Sequence, residues 1–77
     1  MAVGFVLITT EPGQEVRVRE MVAQVECVKG IWVVFGNFDC FVKVEAEEES
    51  ELTEAIVQGI RSVPGIVETR TLIGAEI

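Results

Sequence analysis

Few side chains in this sequence are equipped for chemistry. There is no histidine, and the two cysteines, Cys27 and Cys40, lack the Cys-x-x-Cys spacing of a redox or zinc pair. Carboxylates are plentiful but concentrated in Glu47-Glu48-Glu49-Ser50-Glu51. That run does not repeat like a metal-binding loop and suits a helix start, where acidic groups meet the positive end of the helix dipole. Catalysis needs a poised base, a nucleophile or a metal centre, and the inventory offers none. A non-enzymatic chain with no cofactor and no metal is therefore expected. An unusual cofactor-free enzyme would need a deep pocket with a titratable residue. What remains is a polar turn, Gly36-Asn37-Phe38-Asp39. Asn37 and Asp39 suit turns, because their short polar side chains bond to nearby backbone.

The elements that must position these groups follow from periodicity. Val3 to Thr9 is almost continuously apolar and reads as a first strand covered on both faces. Thr10-Glu11-Pro12-Gly13 ends it. From Gln14 to about Val25, Val18, Met21, Val22 and Val25 recur on one helical face. Valine is a weak helix former, so tertiary packing must hold this helix. Ile31 to Phe35 and Cys40 to Ala46 are apolar, β-branched and aromatic, and the residues between them suit a turn. They form the central hairpin. Cys40, Val42 and Val44 share the face that meets the helices; Phe41, Lys43 and Glu45 share the other. A second helix runs from about Glu51 to Arg61, with Leu52, Ala55, Ile56 and Ile60 as its stripe, and Ser62-Val63-Pro64-Gly65 stops it. Ile66 to Ile73 is the last strand.

The order is βαββαβ. Two loosely similar halves each join helix to strand through Gly-Ile, at Gly30-Ile31 and Gly65-Ile66. Right-handed crossovers place the first and third strands side by side in a four-stranded antiparallel sheet with both helices on one face, a ferredoxin-like α+β fold in one domain over residues 1–77. The other sheet face is then bare. By parity Phe5 or Val6, Trp32 or Val33, Phe41, and Val67 or Ile73 line it. Phe5, Trp32 and Phe41 are the expected homodimer interface, since such a face is a liability for a monomer.

Charge and composition narrow the partners. The chain has 77 residues, 49% apolar, with a net charge of −7 and no basic cluster. Direct binding to nucleic acid or to an anionic membrane is therefore not expected. The first residues are apolar but have no basic leader and are too few to cross a bilayer, which makes the cytoplasm the expected compartment.

Taken together, Pro12-Gly13 before the first helix, Gly36-Asn37-Phe38-Asp39 at the hairpin, Ile60 through Ile66 at the helix end, and Thr69-Arg70-Thr71 in the last strand resemble the Lrp/AsnC family effector domain, also called the RAM domain. The form without a helix-turn-helix is the nearest likeness, because the first strand begins at once. The resemblance implies dimers stacked through their sheets, rings of dimers, and small effectors, commonly amino acids, held between dimers. Matching positions make Gly36, Asn37, Phe38, Asp39, Thr69 and Thr71 the expected ligand contacts. Asp39 would attract an amino group or hold the loop, and Phe38 stands where the family often has tyrosine. The implied role is an amino-acid-binding and oligomerisation module of transcriptional or metabolic regulation, one that could also modify the assembly of full-length regulators. A structural oligomer with no effector is the alternative.

Overall fold

The computed structural model describes residues 1–34 and 36–75, the side chain of Ala75 excepted. Strand β1 (Ala2–Thr10) leads to helix α1 (Glu15–Ala23), then β2 (Val28–Val33), β3 (Cys40–Ala46), helix α2 (Glu49–Glu54) with a π-helical continuation (Ala55–Ile60), and β4 (Ile66–Ala75). The sheet order is β2-β3-β1-β4, with every neighbouring pair antiparallel. This is the expected ferredoxin-like arrangement, with β1 and β3 at the centre. Phe35, placed at the end of the second strand by the sequence pattern, lies outside the described residues.

Burial alternates strictly along β1. Ala2, Gly4, Val6, Ile8 and Thr10 are buried under the helices, whereas Val3, Phe5, Leu7 and Thr9 are half-exposed. The apolar run of β1 therefore feeds two unlike faces and is covered on only one of them, which corrects the expectation of cover on both. Cys40, Val42 and Val44 of β3 are buried on the helix side, as their alternation predicts. Val18 and Val22 of α1, Leu52 of α2, and Ile56 and Ile60 of the π-helical segment close the core over them. Met21 is exposed instead, and α1 ends before Val25.

The second helix departs from a regular α-helix after Glu54. The Arg61 backbone N–H reaches the Ile56 carbonyl, five residues back, at 2.9 Å. Leu52, Ile56 and Ile60 stay on one buried side through this wider turn. Gly59 faces the connection after α1 rather than the sheet: a Cβ there would sit 3.2 Å from a methyl of Val25.

Strand registers decide the open face. Phe5 lies opposite Leu72, and Trp32 opposite Phe41, so these four share the side away from the helices. Phe5 and Trp32 thus resolve the two paired alternatives, but Leu72 replaces Val67 or Ile73. Ile73 lies opposite Gly4 on the helix side. At the other end of β4 a register shift between Thr9 and Thr10 pairs Thr9 with Glu68 but Thr10 with Ile66. The extra residue carries Ile66 onto the core and breaks the simple alternation read along this strand.

Gly65 turns the chain into β4 with φ +98°, and a Cβ there would meet Val18 at 3.1 Å and Gln14 at 3.2 Å. Gly36 has φ +118° but open space around it. Alanine at Gly36 should cost about 1–2 kcal/mol for the backbone alone. Alanine at Gly65 should cost clearly more, because crowding against α1 is added. Urea unfolding of the two variants checks the order.

Candidate functional site

The hairpin between β2 and β3 is built onto the end of β1. The Asp39 N–H donates to the Ile8 carbonyl at 2.8 Å, and the Val34 N–H donates to the Asp39 carbonyl at 3.0 Å. The Asp39 carboxylate then turns back. Its Oδ2 accepts from the Thr10 N–H at 2.8 Å and from the Thr10 hydroxyl at 3.2 Å. Thr9 donates its hydroxyl to the Asn37 carbonyl at 3.0 Å. Thr10 is buried, so its N–H must find a partner, and beyond the ladder that partner is Asp39. One residue on, the Glu11 N–H donates to the Gly65 carbonyl at 2.8 Å, tying the turn before β4 to the same corner.

The expected ligand contacts fall on two sides of β1. Cys40 and Thr69 both pair with Ile8, one from each side, and Val42 and Thr71 both pair with Val6. Two strand spacings, about 10 Å, therefore separate the hairpin end from the Thr69 position. Asp39 lines a cleft of ≈ 400 Å³. Thr69 lines a separate hollow of ≈ 310 Å³ with Arg61, Ile66, Val67 and Glu68. Gly36 and Asn37 are exposed at the loop tip, Phe38 is half-buried, and Thr71 is exposed on β4. A single chain does not gather these six residues into one cavity.

Residues that the sequence pattern did not single out complete the Asp39 cleft. Glu15, Val16 and Arg19 of α1 form one wall, Val33 and Val34 the other, and Cys40 the floor. Their signal was present: Glu15 and Arg19 are spaced i, i+4, with Val16 on the side away from the Val18–Val22 stripe. The Cys40 thiol registers this setting. Burial pushes its pKa up, Asp39 and Glu15 push it further, and Arg19 opposes them. Both cysteines are free thiols; Cys40 is buried and Cys27 half-buried.

On the open face the rings of Phe5 and Phe41 stack with centroids 5.2 Å apart, and Trp32 tilts onto Phe41 at 5.8 Å. The indole lies over Gly30, where a Cβ would come within 2.7 Å of it. Trp32 is nevertheless 50% exposed, and Leu72 is exposed beside Phe5 at the other edge of the same face. Glu45, Glu68 and Arg70 give the face a charged border by register, and Lys43 lies within it opposite Phe5. Among the described residues no group of His, Cys, Asp or Glu is placed to hold a metal, and no helix is long and apolar enough to cross a membrane.

Fold and site define a ferredoxin-like α+β domain with an aromatic open face and a hairpin loop anchored by an aspartate. A family model described as the Lrp/AsnC ligand binding domain matches residues 3–76, and the chain belongs to that family. An uncharacterised HTH-type transcriptional regulator of Pyrococcus furiosus is 26% identical over 72 residues, covering 90% of this chain and 48% of the regulator. The chain thus spans about half the length of the curated regulators it matches. The crystal structure of FFRP-DM1 is 36% identical, superposes with a TM-score of 0.91, and covers 97% of this chain and 100% of that one. A match to a homocitrate synthase of Sulfolobus acidocaldarius, 35% identical over 54 residues, takes in 70% of this chain but only 11% of that enzyme.

Two outcomes are expected at this corner. Asp39→Ala leaves the buried Thr10 N–H without its partner and should destabilise by about 2–4 kcal/mol, with Asp39→Asn milder because an acceptor remains; urea midpoints compare them. The folded Cys40 thiol keeps its proton to higher pH than the unfolded chain. Stability should therefore fall as pH climbs past the ordinary thiol value of 9.0, and Cys40→Ala should remove that component of the slope.

Proposed function

We propose that this chain is an effector-binding and assembly module of transcriptional or metabolic regulation. Copies dimerise by stacking open sheet faces, with Phe5, Trp32 and Phe41 at the centre, and dimers associate further. The observation that carries this reading is the aromatic cluster with its charged border. It is a contiguous apolar surface that a second copy would remove from water. A small effector, an amino acid by family likeness, is held where copies meet. Gly36, Asn37, Phe38 and Asp39 of one chain face Thr69 and Thr71 of another. The separation of these groups within one chain favours such a shared site over an intrachain one. Effector binding at an interface couples ligand to assembly by linkage.

The module is not itself an enzyme and does not contact nucleic acid or membrane directly. Its acidity disfavours a polyanion, and it reaches DNA by co-assembling with full-length regulators. Two free thiols suit a reducing cytoplasm. A second reading, assembly without an effector, is favoured by one observation: Asp39 already has a structural use in holding Thr10.

Sedimentation and calorimetry separate the readings. The wild type should sediment as a dimer or larger, and Phe41→Glu should reduce it to a monomer. At least one of the twenty amino acids should bind with a change in assembly, and Thr71→Val should weaken it. Assembly with no response to any of them would favour the second reading, and a wild-type monomer would overturn both.

A further inference from the structure

The cleft between α1 and the start of the hairpin presents a pattern that the packing of the chain does not use. Val16 and Val33 are each 57% exposed and stand on its opposite walls, so apolar surface lies across an open gap. Arg19 makes no ion pair among the described residues, even though Glu15 precedes it by one helical turn; the Glu15 Oε1 accepts from the Gly13 N–H at 3.0 Å. Asp39 completes the charged set, and its contacts to Thr10 fall on Oδ2. Glu15, Arg19 and Asp39 are all near enough to act on the Cys40 thiol, which is 2% exposed at the floor. The gap of ≈ 400 Å³ thus holds two carboxylates, one guanidinium and a pair of valine walls.

We propose that this cleft is a binding site within one chain for an aliphatic molecule carrying two ammonium groups and one carboxylate, the charge pattern of a basic amino acid. The proposal rests on the ligand-binding reading of the hairpin loop, with which it shares Asp39, and concerns a separate cleft that Thr69 and Thr71 of another copy do not enter. The reasoning is by charge count. Arg19 takes the carboxylate, as guanidinium groups do, by paired N–H donors. Glu15 and Asp39 take the two ammonium groups, and Val16 and Val33 hold the methylene stem between them. A neutral zwitterion would leave one carboxylate of the cleft without a counter-charge. A diamine would leave Arg19 facing cations. The net charge of −7 adds a field that attracts a cationic ligand.

The test removes one charge at a time from the probe. Calorimetry with L-lysine, L-norleucine and cadaverine on the wild-type chain at low salt should give L-lysine the tightest binding. Each of the other two should be weaker by roughly fivefold or more, the factor that even an exposed ion pair can supply. Raising the ionic strength should narrow the gap. Arg19→Gln and Glu15→Gln both leave exposed positions polar, and glutamine at Glu15 keeps an acceptor for Gly13. Both should weaken L-lysine by a similar factor, whereas Thr71→Val should not. Equal affinity for L-lysine and L-norleucine, no binding of L-lysine, or indifference to Arg19→Gln would overturn the assignment. If another amino acid then binds and loses affinity in Thr71→Val, the wider effector reading stands while this one falls.

Discussion

Everything in this domain hangs on β1 being paired on both sides. It is the one strand flanked by β3 and β4, and its nine residues divide strictly between two environments. The even-numbered residues lie under the helices and supply the core. The odd-numbered residues supply the open face. A strand has a side-chain period of two, so neither set can move without the other. The C-terminal end of β1 is also where three turns meet: its own turn into α1, the β2–β3 hairpin and the turn before β4. Asp39 fastens the hairpin to Thr10, and Gly65 fastens the turn before β4 to Glu11. The same strand that builds the core therefore holds the loop on which the binding proposals depend.

Much of this architecture is legible in the residues, for reasons that differ between elements. Strand β3 matches its expected bounds because Cys40, Val42 and Val44 alternate cleanly with Phe41, Lys43 and Glu45. The sheet order follows from connectivity and the handedness of crossovers. The side taken by Ile66 was not legible, because a register shift at Thr9 and Thr10 sends it to the core, and no residue there announces a bulge. The π-helical turn was equally hidden. Leu52, Ala55, Ile56 and Ile60 suit an ordinary helical stripe, and the change to a five-residue hydrogen bond is a matter of how Ile56 and Ile60 settle against the sheet.

The binding residues show a similar division. Asp39 was visible as a turn residue, and the structure gives it a definite use in satisfying a buried N–H. The i, i+4 spacing of Glu15 and Arg19 and the off-stripe Val16 were visible, but such a pattern on the solvated side of a helix does not by itself name a site. Only the placement of α1 across from Val33 and Val34 makes a cleft of them. Thr69 and Thr71 sit on the far side of β1 from the hairpin. The distance is set by strand spacing and not by side-chain rotamer, so no rearrangement of side chains within one copy closes it.

The seating of Trp32 on Gly30 has a practical consequence. The chain contains one tryptophan and no tyrosine, so its near-ultraviolet emission comes from a single indole. Gly30 fixes that indole flat on the open face, beside Phe41 and half in water. Whatever lands on this face changes the polarity around the one fluorophore, while events on the helix side leave it untouched. The fold thus carries a native, label-free optical gauge of which of its two sides is engaged.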